Sequence, residues 1–490
     1  MRKPIDPQTK LGQVNIAEIE FDLRSRDEIP KLLMGLQYVY CTPDIREQVF
    51  RILEEMVPTG TDANTGRPGM LLWKILVLGT LRLNCNWDYD KVKEMADNHL
   101  TLRQMLGHSG WEDEYRYPIQ TIKDNVSLFT PEILDKINQI VVKAGHNLVK
   151  KNEELKARCD SFVVETDVHY PTDINLLFDA MRKVISLLAR VCAALGLSEW
   201  RQSAYTIRKL KRLYRKAQSL KRSGAKKKER VEQKRGRIAR AHREYTDVAE
   251  AYLEKAKATL EVLAETNRIT AITYDNIKHY IRHAERQIDQ TRRRVLKGER
   301  IPHQEKVFSI FEEHTEWISK GKAGVPQELG LKVCVVEDQY GFFLHHWVMR
   351  NSTDEKVAVA LIEATRKRFP QLISCSFDKN FYTPGNKKQL ERMLDLVVLP
   401  KKGRLSEEEK AAESSKGFVQ ARRKHPAVES GINALENHGL DRCLDHRLRG
   451  FERYVGLAIV ARNIQILGTI LWTRENDKIQ REQTRLRKAS

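Results

Sequence analysis

The sequence predicts an α/β protein: a mixed sheet flanked by helices, interrupted after its first strand by a long helical insertion, and preceded by a helical N-terminal region. Three observations carry this. Up to about residue 150 apolar residues recur at helical spacing; near residue 157 the period shortens to that of a strand; between residues 200 and 300 helix formers and basic residues dominate before strand patterning returns.

Each element has its own signal. PDIREQVFRILEEM opens at Pro43, Pro68 can start the helix carrying MLLWKILVLGTLRL, and Thr130 with Pro131 opens TPEILDKINQIVVKAG. RCDSFVVETDVHY has a β-branched centre and reads as a strand; PTD ends it, and Asp173 can cap the next helix. From Ile207 to Arg235 the chain reads as basic helix. Its helices need not be deeply buried. Between about Ala239 and Arg294 apolar positions are thin and widely spaced, which fits long antiparallel helices, coiled or not, with a turn at Gly224. LGLKVCVVED and GFFLHHWVMR form a hairpin. STDEKVAVALIEATRKRF is a helix capped by Ser352 or Thr353, and QLISCSFD a strand ending at Asp378. A helix over 386–394, the strand LDLVVLPK and a helix HPAVESGINALENHG ending at Gly439 complete the order.

With the insertion removed, this is the element order of a ribonuclease-H-like fold, in which the first and fourth strands are neighbours. The expected domains are 1–150, a helical DNA-binding region; 151–173, the start of the catalytic domain; 174–325, the helical insertion; 326–475, the rest of the catalytic domain; and 476–490, a basic tail.

Composition narrows function. A formal charge of +20 over 490 residues favours polyanionic partners, DNA or RNA first. Seven cysteines with no CxxC spacing point to free thiols in a reducing compartment and against a zinc finger. MRKPIDPQTK has no apolar stretch behind it, so no signal peptide is expected. The run from Tyr454 is interrupted by Arg462 and Asn463, which are costly in lipid; it and the run from Met70 are read as buried helices. The expected location is cytoplasmic and nucleoid-associated, with no membrane partner.

Three carboxylates on this fold carry the chemistry. Asp160 falls on the first strand, Asp378 at the end of the fourth and Glu429 on the late helix, 218 and 51 residues apart. Phosphodiester cleavage by in-line attack uses two divalent ions about 4 Å apart, and Mg²⁺ prefers oxygen ligands. Asp160 is expected to bridge both ions, with Asp378 and Glu429 each completing one side; Mn²⁺ can substitute. Crowded carboxylates repel, so partial protonation is expected until metal arrives. Asp167 is the rival for Asp160.

DSFVVETDVHYPTDINLLFDA from Asp160, SFDKNFYTPGNK from Ser376 and HPAVESGINALENHGLDRC from His425 resemble the three catalytic blocks of DDE transposases from a broad group of bacterial insertion sequences. VFSIFEEHTEWISKGKAGVPQELGLKV from Val307, GFERYVGLAIVARN from Gly450 and the N-terminal region are similar to the corresponding family segments. The resemblance selects Asp160 over Asp167. It implies end cleavage to a 3′-hydroxyl and its transfer to target DNA, with double-stranded transposon-end and target DNA as partners and a homodimer or larger synaptic complex. Two features depart from the family pattern. His425 and Glu436 stand where many relatives have a basic residue and a lysine, so Arg422, Arg423 and Lys424 are assigned the phosphate contacts; and the insertion follows the first strand rather than preceding the glutamate helix. A nuclease that cuts without joining and an inactive DNA-binding derivative are the alternatives, with a ribosomal or RNA-binding protein more distant.

Among other residues, Lys320 and Lys322 beside Gly321 and Gly324 form a basic loop suited to phosphate, or an ordinary solvated turn. His345 and His346 are adjacent on a strand and face opposite ways, which makes them poor joint ligands. Trp317 can stack on a flipped base or pack against its own domain.

Overall fold

The computed structural model describes residues 2–6, 8, 11–57, 69–109, 113–149, 154–222, 228–319 and 327–489. The expected phosphate contacts Lys320 and Lys322 and the turn at Gly224 lie outside them. The chain forms two compact units, one of Met1–Asp167 with Ile318–Ser490 and one of Val168–Trp317.

Among the described residues the α-helices before the sheet are α1 (Ile29–Cys41), α2 (Pro43–Glu54), α3 (Leu72–Asn84), α4 (Tyr89–Asn98), α5 (Leu100–Met105), α6 (Ile119–Val126) and α7 (Pro131–Val149). The strands are β1 (Leu155–Thr166), β2 (Glu316–Ser319), β3 (Gln327–Asp338), β4 (Phe343–Val348), β5 (Leu372–Phe377), β6 (Leu396–Val398) and β7 (Arg442–Cys443). They make one mixed sheet. β1 pairs antiparallel with β3 and parallel with β5; β3 pairs antiparallel with β4, and β5 parallel with β6. The result is a mostly helical α/β protein around a small mixed sheet.

Alternation along β1 divides the core. Phe162 and Val164 face a cluster shared with α1, α3, α7 and the C-terminal helix, while Leu155, Ala157 and Cys159 face a second cluster on the other side of the sheet. No boundary at residue 150 divides the packing: the helices of 1–150 pack on α17 and on one another, α7 also lies against β4, and all share the compact unit of the sheet. Sequence periodicity finds each amphipathic helix but not the partner that covers it.

α17 (Arg447–Ala489) runs through that shared core. The tail expected at 476–490 continues α17 as far as residue 489, exposed from 477 to 488. By length and composition α17 could cross a membrane, yet 72% of its most apolar window is buried within the protein. Asn463 interrupts the apolar run because it completes a buried network. Its side-chain amide donates to Asn138 Oδ1 at 2.6 Å and to the Phe343 carbonyl at 2.9 Å, and its Oδ1 accepts from the Phe343 amide at 2.9 Å. One side chain thus joins α17, α7 and the first residue of β4. Where α17 crosses α1, a Cβ on Gly468 would strike the Lys31 carbonyl and one on Gly35 the Ile464 carbonyl.

The second unit holds α8 (Asp173–Ala194), α9 (Ser203–Arg222), α10 (Lys228–Glu265) and α11 (Ala271–Thr291). It spans Val168–Trp317 where the sequence reading set 174–325. Thr172, not Asp173, caps α8 by accepting from the Asn175 amide; Asp173 instead pairs with Arg294 at 2.7 Å. Apolar positions are thin along the later helices, yet the unit has a core of its own. Ala241, Tyr245, Ala249, Leu253, Ala256 and Leu260 of α10 are all buried in it. Alanines at a helix seam give little apolar signal and still permit close approach, which is why the core was not visible.

Trp317 packs edge-on to Tyr170 and tilts against Phe308, each at 5.7 Å between ring centroids.

Replacing Asn463 by Leu leaves the Phe343 amide without this acceptor and removes a donor to Asn138. The expected loss is about 2–4 kcal/mol of unfolding free energy in urea titration; an unchanged midpoint would show that the network does not hold α17 in place.

Candidate functional site

The segments carrying the predicted carboxylates are held by their apolar neighbours. Asp160 sits on β1 one residue after Cys159, which pairs with Phe377; Asp378 follows Phe377. Because the two strands are parallel and adjacent, both carboxylates leave the sheet at the same level. Asp378 caps the short turn Lys379–Phe381 and is flanked by two buried rings, Phe377 and Phe381, 5.7 Å apart. Asn386 fixes the same segment by donating to the carbonyls of Phe381 and Glu355 at 2.9 and 2.6 Å.

Glu429 comes from α16 (Ala427–Leu435), in its first turn. Val428 and Ile432 anchor the helix in the core, and Glu429 is exposed beside them. A Cβ on Gly431 would meet the Glu337 carboxylate and stand 3.1 Å from the Phe343 ring. That glycine lets α16 lie close over β3 and β4. Glu337 accepts from Arg158 Nη1 at 3.0 Å, and Arg158 is on the same face of β1 as Asp160.

Charge records the gathering. Burial pushes the Asp160 carboxyl up to about 6; the nearby negative charges of Asp378, Asp354 and Glu429 push the same way, against a hydrogen bond from the Ser161 amide at 2.7 Å. Among the described residues no Lys or Arg forms an ion pair with Asp160, Asp378 or Glu429. The rival Asp167 lies just beyond β1, is largely exposed, and has Arg442 at 3.8 Å.

Two neighbours were not singled out from the sequence for their place here. Asp354 opens α12 (Asp354–Arg368), is buried, and accepts from the Ser161 hydroxyl at 2.7 Å and Lys332 Nζ at 3.0 Å. His425 shares a 3.0 Å hydrogen bond with the Ser376 hydroxyl. Burial lowers its pKa, while Asp378 and Glu429 act in the opposite direction. Arg422, Arg423 and Lys424 form the exposed last turn of α15 (Lys416–Lys424); Arg422 has Glu413 at 3.7 Å. His345 is buried 3.5 Å from Asp135.

Among the described residues, one group of three side chains is gathered closely enough to hold a metal ion, and it is a different one. His279, His283 and Glu313, all in the second unit, have ligand atoms within 4.8 Å of one another. Asp160, Asp378 and Glu429 are coupled through charge without that mutual spacing. The spacing of His279 and His283, four residues apart in a helix, was legible; Glu313, thirty residues later, had no sequence signal to join them.

Comparison with protein-family models, curated proteins and solved structures returns no match.

With its pKa raised from 3.8 to about 6, Asp160 contributes stability that is fully present below pH 3.8 and lost as pH rises through about 6. In chelator, the stability of the native chain relative to Asp160→Asn should therefore fall between pH 4 and 7, by at most about 3 kcal/mol. Parallel curves for the two proteins would mean that the carboxyl is not perturbed.

Proposed function

We propose that the chain is a DNA transposase that cleaves at transposon ends and transfers the freed 3′-hydroxyl to target DNA, with Asp160, Asp378 and Glu429 as its metal ligands. The observation that carries this reading is the placement of Asp160 and Asp378 side by side on parallel β1 and β5, with Glu429 close enough to act on the Asp160 carboxyl. The order β4-β3-β1-β5-β6, antiparallel on one side of β1 and parallel on the other, supports a ribonuclease-H-like core.

The residues fit a hard divalent ion. Three carboxylates offer only oxygen donors, their negative charge is already felt at Asp160, and no Lys or Arg ion pair among the described residues offsets it. Mg²⁺, or Mn²⁺ in its place, would activate the attacking oxygen and stabilise the leaving one. The protein's own part is positioning. β1 and β5 fix two ligands on a rigid sheet, and α16 brings the third from the side.

In the first reaction a water oxygen bonds to phosphorus as the bond to the 3′-oxygen breaks, and that oxygen leaves as a hydroxyl. In the second, the same hydroxyl bonds to a target phosphorus and a target 3′-hydroxyl departs. Both reactions use one constellation, and no covalent protein–DNA intermediate is needed. The exposed cations at the end of α15 lie on the helix immediately preceding α16, where they can hold backbone phosphates. Holding two ends together calls for a homodimer or larger assembly.

Purified protein with labelled terminal-repeat DNA, a target plasmid and Mg²⁺ tests the reading. Asp160→Ala, Asp378→Ala and Glu429→Ala should each lower cleavage and joining by at least about a thousandfold with end binding retained. Cleavage without joining by the native chain would make it a nuclease, and binding without cleavage an inactive derivative. Replacing Arg422, Arg423 and Lys424 together by Ala should flatten the dependence of log affinity on log salt by about one unit for each phosphate that is no longer neutralised; an unchanged slope would remove these residues from the interface.

A further inference from the structure

We propose that His279, His283 and Glu313 form a binding site for a divalent transition metal of the zinc type, within the helical unit and separate from the sheet carboxylates. His279 and His283 are one helical turn apart on α11, and their rings lie 4.7 Å apart between centroids at 80°. Glu313 arrives from the segment that follows the short turn His303–Glu305. Its Oε1 is 2.7 Å from His283 Nε2 and 3.6 Å from His279 Nε2. A tetrahedral Zn²⁺ with ligands at about 2.0–2.1 Å holds them about 3.3 Å apart. The two separations from Glu313 bracket that edge, and all three ligand atoms lie within 4.8 Å of one another, so occupancy needs the side chains only to draw together.

The donor set selects the metal class. Two imidazoles and one carboxylate suit Zn²⁺ and its transition-metal neighbours, whereas Mg²⁺ prefers oxygen and resists losing water. Burial differs across the three. The His283 side chain is 4% exposed, His279 35% and Glu313 54%. One ligand is therefore fixed in the core of the unit while the other two face solvent, which leaves room for water as a fourth ligand. A bound ion adds a further tie between α11 and the chain after residue 305, beside the Gln290 side chain donating to the Glu305 carbonyl at 2.6 Å and Ile310 buried with Ile277 and Ile281. The site is a structural clamp and does not depend on the transposase reading.

The test is zinc titration of the full-length, untagged, chelator-stripped protein by calorimetry, with thermal unfolding in parallel. His279→Gln and Glu313→Gln are chosen because both side chains are partly exposed, so the fold should tolerate them. The native chain should bind one equivalent more than either variant and gain thermal stability from Zn²⁺ that neither variant gains, and millimolar Mg²⁺ should not displace that equivalent. Asp160→Asn should keep it, which separates this site from the sheet carboxylates, while its loss in His279→Gln and Glu313→Gln separates it from stray binding at cysteines. Equal stoichiometry in the native chain and both variants, or displacement by Mg²⁺, overturns the proposal. So does loss of the equivalent in Asp160→Asn.

Discussion

Cys159 pairs with Val336 on one side and with Phe377 on the other, so Asp160 emerges at the residue just past the last position where β1 is flanked by both β3 and β5. The rest of the candidate site is built from that double pairing. The antiparallel neighbour β3 brings Glu337 opposite Arg158 and Lys332 opposite Val163; the parallel neighbour β5 brings Asp378 level with Asp160. A slip of one residue in either register would turn Asp160 toward the other core and bring Cys159 or Ser161 into its place. The buried side chains of Cys159, Val164, Val336 and Phe377 make such a slip costly, so the apolar positions of the sheet determine where its acidic ones stand.

α16 is attached by a different device. Its glutamate is exposed, but the next turn is pressed onto the sheet, with Val428 and Ile432 in the core and Gly431 against the Glu337 carboxylate. Burial pushes Glu337 up to about 7, and Arg158 opposes that rise. The Arg158–Glu337 pair therefore lies beneath the helix that carries Glu429 and beside the strand that carries Asp160. Acidic groups are crowded at this end of the sheet, and the compensating cations, Arg158 and Lys332, are spent on Glu337 and Asp354 rather than on the three predicted ligands.

How much of this was legible depended on range. Val163 and Val164 marked β1, the hairpin of β3 and β4 was legible as two strand-like runs parted by Gln339 and Tyr340, and Asp378 could be set at the end of a strand from local pattern alone. Caps were less legible: Thr172 and Asp173 are both good capping types, and only the arrangement of Arg294 decides which of them faces the helix backbone. The seam of α10 was hidden by its alanines. The absence of a boundary at residue 150 was hidden because α17, more than three hundred residues after α3, supplies part of the surface on which α3 is buried. Asp354, the Ser376–His425 pair and the His279–His283–Glu313 group are products of tertiary proximity, which a linear pattern does not encode. Among all these, the separation of Asp160 and Asp378 by 218 residues was bridged only because a strand order was assumed first.

The insertion within the sheet also sets a timetable. Glu165 of β1 pairs with Gly330 of β3, so the strand that carries Asp160 is made 165 residues before that partner residue. At a synthesis rate of about 5–20 residues per second, β1 waits roughly ten to thirty seconds for it. During that interval the strand's hydrogen-bonding groups are unpaired and open to misassociation. The helical unit offsets this delay. Its core is made from residues contiguous in the chain, so it can condense as it emerges and draw in the segment separating the two strands, shortening the loop that must close. The arm that interrupts the sheet in sequence is thus suited to help complete it in time.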